Sequence, residues 1–311
     1  MLTHSALLAR CRFPVIAALA ALLLVAGGQS AAAQSGSTGT EPPEGSVGGM
    51  GDINLYPRRV VLQGRDRITT VGLYNRAAAE GNYEIELSDR IMLTSGELVD
   101  LADAGEGAAR ARLNSATEML RWSPRRIALP PNESQTIRIM ARIPPDLPAG
   151  EYRTHFSVMQ VPPGADGGVS IEQASGQRKS GAIGVRIVPR FGISIPVIVR
   201  VGDTTLEVGL RDLAVKPIGD GRSAVTFTIT RSGTRSAFGN ITVTPAGSGK
   251  AIATVKGVGV YPEIDERFMT VPVDPEALAS AFARGARLTV TYTDDDFRPG
   301  EVLARQEFIV P

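Results

Sequence analysis

The amino-acid sequence predicts an all-β protein with two β-sandwiches in tandem, preceded by an N-terminal signal segment. Short segments alternate apolar and polar residues, as at 83–87 and 135–139, and this is the pattern of half-buried strands. Turn-forming residues separate these segments, and the chain holds 34 glycines and 21 prolines. About seven such strands fall within roughly 150 residues, which is the strand density of a sandwich.

The first 33 residues have the three parts of a secretory signal peptide. Arg10 and Arg12 supply positive charge, residues 15–26 are apolar and uncharged, and alanines follow at 31–33. This order is typical of a signal peptide with an A-x-A cleavage site. The apolar core is shorter than the roughly 20 residues that a membrane helix needs. We predict cleavage after Ala33 and export from the cytoplasm; the alternative is an uncleaved membrane anchor.

Removal of this segment narrows the chemistry open to the mature chain. The one cysteine, Cys11, and one of the two histidines, His4, lie within it. A chain without cysteine forms neither a disulfide nor a thiolate metal site. The formal charge falls from +1 to −1 without the two arginines, which argues against nucleic acid as a partner. No second apolar run reaches membrane length, so we expect no membrane insertion of the mature chain.

Residues 34–50 are predicted to form a flexible lead-in, and residues 51–201 a first sandwich. The lead-in is rich in Ser, Gly and Pro and has few apolar side chains to bury. Residues 102–113 are rich in Ala, Glu and Arg and fit either a helix or an irregular insertion. Residues 164–181 are Gly- and Ser-rich and are predicted to form a long loop. Strands are predicted near residues 59–62, 69–75, 83–87, 127–129, 135–139, 151–161 and 185–201.

A domain boundary is predicted after Val201, where Gly202 and Asp203 follow a long apolar run. Residues 202–311 again show short alternating segments, and we predict a second sandwich there. Its strands are predicted near residues 206–208, 225–229, 241–243, 288–292 and 306–310.

Residues that could carry catalysis or bind a metal are few. His155 is the one histidine outside the signal segment, and a histidine within a strand is usually structural. Asp294, Asp295 and Asp296 lack the glycine and distal glutamate of a calcium loop and fit a solvated turn. Glycine-rich stretches such as 164–168 do not join a strand to a helix, as a phosphate-binding loop does. We predict no enzyme activity and no cofactor; a hydrolase is a remote alternative.

The run from residue 183 to residue 201 is the most distinctive feature of the sequence. Apolar side chains occupy alternate positions and would share one face of a strand: Ile183, Val185, Ile187, Phe191, Ile193 and Ile195. At a sheet edge, such a strand could pair with a strand of another chain; the alternative is a central core strand. Early in the first predicted strand, Arg59 could bind a carboxylate through its planar guanidinium, or it could be a solvated charge.

Motifs follow one another in a defined order along the first predicted sandwich. Residues 57–62 (PRRVVL) place arginines before apolar residues, and residues 71–75 (VGLYN) end in asparagine. Residues 124–138 join a proline-rich turn to a strand, and residues 147–163 run from Leu-Pro-Ala-Gly-Glu-Tyr-Arg to a double proline. Together these motifs resemble those of the periplasmic chaperones of pilus assembly by the chaperone–usher route. The resemblance covers residues 52–201, and the second predicted sandwich is only loosely similar.

This resemblance implies two immunoglobulin-like sandwiches, no catalysis and no cofactor. Chaperones of this family bind pilin subunits that lack their last strand, supply a strand of their own, and hand the subunits to an outer-membrane usher. The family's lysine near the end of the donor strand aligns here with Pro196 or a neighbour, and Arg190 is the nearest basic residue before it.

The subunit-binding residues that the resemblance implies are Arg59, for the carboxylate of the subunit, Arg190 as the nearest cation, and Val185, Ile187, Phe191 and Ile193 as plugs of the subunit groove. We therefore predict a periplasmic chaperone for fimbrial subunits. The alternative is a structural or adhesive two-sandwich protein of the periplasm or cell surface.

Overall fold

Strands form most of the chain that the computed structural model describes, which covers residues 41–49, 52–162, 190–219, 222–273 and 283–311. These residues belong to one compact unit with two β-sandwiches, so the predicted fold class is confirmed. Within the described ranges, no helix is long and apolar enough to cross a bilayer.

The first sandwich contains two five-stranded sheets, with the orders β1-β2-β4-β10-β8 and β3-β12-β11-β5-β9. Alternate side chains point inward, as on β4, where Val71 and Leu73 are buried and Thr70 is exposed. Leu73 of one sheet and Phe156 of the other belong to the same apolar core. The strands are β1 (Val47–Gly49), β2 (Ile53–Tyr56), β3 (Val60–Gln63), β4 (Ile68–Asn75), β5 (Gly81–Ser88), β8 (Leu120–Ser123), β9 (Arg126–Leu129), β10 (Ser134–Ala141), β11 (Gly150–Val161) and β12 (Gly192–Val201).

The end of the predicted lead-in is a strand, so the prediction of a flexible segment was wrong for Val47–Gly49. Val47 lies opposite Leu55 of β2, and Gly49 lies opposite Ile53. Val47 also packs against the first core. An edge of β2 that offers backbone hydrogen bonds, together with one apolar side chain, is enough to order this glycine-rich segment.

An insertion between β5 and β8 carries a hairpin, β6 (Arg90–Met92) and β7 (Leu98–Asp100), and then a helix, α1 (Ala108–Arg112), followed by a 3-10 turn at Thr117–Met119. For residues 102–113, the sequence was compatible with either a helix or an irregular insertion. The helix covers five residues, and turns precede it.

The insertion reaches the second sandwich. Met92 is part of the second core, and the amide of Phe268 donates to the carbonyl of Thr94 at 2.8 Å. The guanidinium of Arg112 donates to both oxygens of Asp265, each at 2.7 Å. The insertion therefore braces one sandwich against the other.

The second sandwich has a three-stranded sheet, β13-β14-β17, and a four-stranded sheet, β16-β15-β18-β19. Ile229 of β14 and Val290 of β18 lie in one core. The predicted boundary after Val201 falls in the turn between β12 and β13. The strands are β13 (Leu206–Pro217), β14 (Ser223–Gly233), β15 (Ala237–Pro245), β16 (Ala253–Val260), β17 (Glu266–Pro272), β18 (Arg287–Asp294) and β19 (Val302–Ile309).

Candidate binding site

Strand β12 has one fully paired edge and one partly open edge. It pairs antiparallel with β11 from Gly192 to Val201. On the other side, it pairs in parallel with β3 only from Val197 to Arg200. Within the described ranges, no strand pairs with the stretch from Gly192 to Pro196 on that side. This stretch is the open edge.

The backbone polar groups of the open edge follow from the register. The amide of Gln160 donates to the carbonyl of Phe191 at 2.8 Å, and polar groups alternate between the two sides of a strand. Odd-numbered residues of β12 therefore face β11, while the N–H groups of Gly192 and Ser194 face the open edge. Pro196 has no N–H and lies at a position that would face this edge, so the ladder with β11 keeps its donors.

The predicted plug residues have different surroundings. Val185 and Ile187 lie outside the described residues. Phe191 is half-buried at the entry to β12. Ile193 is only 7% exposed and packs in the first core, which differs from the predicted role as a plug. A side chain that fills the protein's own core is not available to fill a groove in another chain.

Arg190 is not brought to Arg59. Its side chain is exposed, with Nη2 at 3.7 Å from an oxygen of Glu84. Val60 lies opposite Val197, so Arg59 is level with Pro196. Arg190 is six residues before that level, and an extended chain of this length spans about 20 Å. Arg190 is therefore not a second cation beside Arg59.

The side chain of Arg59 is 8% exposed and lies where the two sandwiches meet. Nη2 donates to Asp296 Oδ2 at 2.9 Å and to Ser236 Oγ at 2.8 Å. The guanidinium stacks on Phe238, 4.5 Å from the ring centroid. Nε and Nη1 are buried and have no acceptor among the residues that the structure describes. One side of this guanidinium is thus held by the protein, and the other two donor nitrogens are unused.

Charges around Arg59 keep it ionised despite burial. Burial alone would lower the pKa of Arg59, but Tyr261, Asp296 and Glu151 together raise it above its ordinary value. Burial would likewise raise the pKa of Asp296, but Arg59 and Arg200 outweigh it and leave that pKa lowered. The pair therefore stays charged, so a fixed positive group remains at this position.

Arg200 forms ion pairs with two carboxylates, Asp296 and the buried Glu151. Arg200 Nε donates to Glu151 Oε2 at 3.2 Å, and Nη2 bonds to Asp296. The amide of Ser236 also donates to Glu151 Oε2, at 3.2 Å. Glu151 and Arg200 belong to the first sandwich, and Ser236 and Asp296 flank strands of the second. This network fixes the second sandwich beside Arg59.

A separate buried ion pair also joins the two sandwiches. It links Arg153 of β11 to Glu263, and both side chains are 2% exposed. The guanidinium of Arg153 lies 4.0 Å from the centroid of Tyr261. Its Nη1 is 3.3 Å from Nδ1 of His155, which is itself buried. Burial first, and then Arg153, Arg90 and Arg59, lower the pKa of His155 to about 2. The imidazole is therefore a neutral, packed group.

The acidic run at Asp294 forms a turn. The carboxylate of Asp294 accepts the amides of Asp296, Phe297 and Arg298 at 2.8, 3.2 and 3.0 Å. Its oxygens are thus used by the backbone of the loop. In the ranges that the structure describes, no group of three or more His, Cys, Asp or Glu side chains could hold a metal ion.

Comparison with known proteins gives structural similarity without sequence similarity. No family model and no curated protein matches the chain. The Pseudomonas aeruginosa CupB2 chaperone is 12% identical, with 83% of this chain and 100% of that chain covered and a TM-score of 0.40. The E. coli chaperone DraB is 14% identical, with 82% and 95% covered and a TM-score of 0.39.

Another match is to a structure from Acinetobacter baumannii of the CsuC chaperone with the CsuE tip adhesion subunit. The matched chain is 12% identical, 83% of this chain and 97% of that chain are covered, and the TM-score is 0.39. Each of these three structures contains a chaperone.

Proposed function

We propose that this protein is a periplasmic chaperone for fimbrial or pilus subunits. It binds a subunit by donor-strand complementation and hands it to an outer-membrane usher. The observation that carries the proposal is the open edge of β12, which directly follows the alternating apolar run at 183–191. An edge with free N–H and C=O groups is the element that strand addition requires.

The open edge supplies the main-chain part of binding. Gly192 and Ser194 present donors that no described strand uses, and an incoming strand satisfies them. The side chains upstream supply the apolar part, since Val185, Ile187 and Phe191 share one face of an extended chain. Each contributes roughly 1.5–3 kcal/mol if it becomes fully buried in a subunit groove.

Arg59 anchors the end of the bound strand. It is level with Pro196, next to the end of the open edge, and its Nε and Nη1 are buried with no acceptor among the described residues. Once the side chains that cover these two nitrogens move aside, a terminal carboxylate accepts two charge-assisted hydrogen bonds from the planar fork. Asp296 and Ser236 hold the third nitrogen, so the guanidinium is oriented before the ligand arrives. No bond is made or broken in this mechanism, which needs neither a catalytic group nor a cofactor.

Co-purification from the periplasm tests the proposal. We expect the tagged wild-type protein to bring down subunits of a surface fibre, identified by mass spectrometry. Phe191→Asp and Ile187→Asp should abolish capture, because a charge in the groove is not solvated. Phe191→Leu keeps the apolar contact and is the matched control. Equal recovery with Phe191→Asp would contradict the donor-strand mechanism. The absence of any subunit with the wild type would favour a structural or adhesive role.

A further inference from the structure

The end of the lead-in, Val47–Gly49, lies against the strand that carries the open edge. Strand β1 pairs with β2 from Val47 to Gly49 and also contacts β12. Because β2 directly precedes β3 and β3 runs parallel to β12, β2 and β1 lie upstream of Val60, level with the open edge. We call the place where β2 of one sheet lies next to residues 192–196 of β12 in the other sheet the seam. At the seam, β1 lies beside the part of β12 that does not pair with β3.

The contact is small and has one anchor. Only three residues pair with β2, two of them glycines, and Val47 is the one apolar side chain of β1 that packs against the first core. Ser46 and Pro43 form a turn just before the strand, where the amide of Ser46 donates to the carbonyl of Pro43 at 3.1 Å. A segment held in this way can cover an edge and still be displaced by a longer strand that pairs along it.

We propose that residues 41–49 are an intramolecular cap on the seam between β2 and the open edge of β12. The cap protects the edge in the free protein and competes with an incoming subunit strand. The competition rests on the proposed function, whereas the protection of the edge does not. An exposed, unpaired edge is a template for self-association, and the cap reduces that exposure.

Hydrogen exchange measured by mass spectrometry or NMR tests the protection. The variant is Val47→Asp in the chain that begins at residue 34, and the matched control is Glu44→Gln, an exposed residue of the same segment. We expect Val47→Asp to speed exchange of the Ser194 amide severalfold, because this amide pairs with no described strand and is shielded only by partial burial that opening of the cap would reduce. Glu44→Gln should exchange as the wild type does. A chain that begins at residue 50 should reproduce Val47→Asp.

A fluorescein-labelled 12-residue peptide of alternating Val and Thr, with a free C-terminus, separates the two proposals. Faster Ser194 exchange together with faster peptide association in Val47→Asp supports both the cap and the proposed function. Faster exchange with no peptide bound by any variant supports the cap and contradicts strand capture. Unchanged Ser194 exchange in both Val47→Asp and the shortened chain would overturn the cap, whatever the peptide does. Thermal unfolding followed by circular dichroism confirms that each variant is folded.

Discussion

The stability of the protein should fall between pH 7.5 and 5.0 because of one residue, His155. It is 1% exposed, and Arg153 lies against its ring, so the folded protein holds the imidazole neutral. Burial and the neighbouring arginines lower its pKa to about 2. In the unfolded chain, the same group titrates near 6.5. Between these two values the unfolded state binds a proton that the native state does not, and acid therefore favours unfolding.

The magnitude follows from linkage. With a native pKa far below the range tested, one histidine lowers the free energy of unfolding by about 2 kcal/mol between pH 7.5 and 5.0. The chain without residues 1–33 has no other histidine, which isolates the effect. Asp265 and Asp296 have pKa values below their ordinary range, so their contributions are lost at lower pH.

Urea denaturation followed by circular dichroism at several pH values measures this slope. His155→Gln is the matched variant, because it keeps a polar side chain that does not titrate. It should have a nearly flat profile over the same range, even if it is less stable at neutral pH. A wild-type profile that is flat, or a slope that persists in His155→Gln, would refute the assignment of a neutral buried imidazole.

Two further predictions concern the buried charges. Glu263→Gln leaves the Arg153 guanidinium buried without its counter-charge and should lower the free energy of unfolding by about 3–5 kcal/mol, as measured by urea denaturation; Glu84→Gln, at an exposed pair, should change it by less than about 1 kcal/mol. If Glu263→Gln lowered the free energy of unfolding by less than about 1 kcal/mol, as expected for Glu84→Gln, this would contradict the buried ion pair. Arg59→Gln removes the positive charge and the planar fork, so it should abolish any preference for the alternating peptide with a free C-terminus over its amidated form in fluorescence anisotropy. A preference that survives in Arg59→Gln would exclude Arg59 as the carboxylate ligand.

The strands that the sequence predicted best are those with clean alternation and one core face. Strand β5 is an example, with Tyr83 and Ile85 buried and the flanking Asn82 and Glu86 exposed. Strand β16 was missed because Gly257, with a φ of 70°, interrupts its pattern. The hairpin of β6 and β7 was missed because three-residue strands are too short to show a period. The lead-in strand depends on pairing with β2, which local composition does not report.

The candidate site was predicted in part. Arg59 could be singled out from the sequence, but its partner Asp296 is 237 residues away along the chain. Glu151 and Arg200 are also distant from Asp296 along the chain. Arg200 is a charge within a mostly apolar strand, whereas the strand of Glu151 holds several other polar residues, so Glu151 gives no distinct sequence signal. The alternation at 183–201 gives the period of the strand, but it does not tell which core a face packs against. This is why Ile193 was predicted as a plug and is instead part of the first core.

The most direct test of the central claim is subunit capture by variants at Ser194. Ser194→Pro removes an N–H that faces the open edge and leaves the hydrogen bonds to β11 in place, whereas Ser194→Ala removes only the hydroxyl. Both are compared with the wild type by co-purification from the periplasm, after thermal unfolding has shown that each is folded. Strand addition at the open edge predicts that Ser194→Pro loses the subunit and Ser194→Ala retains it. Equal capture by both variants and the wild type would contradict it.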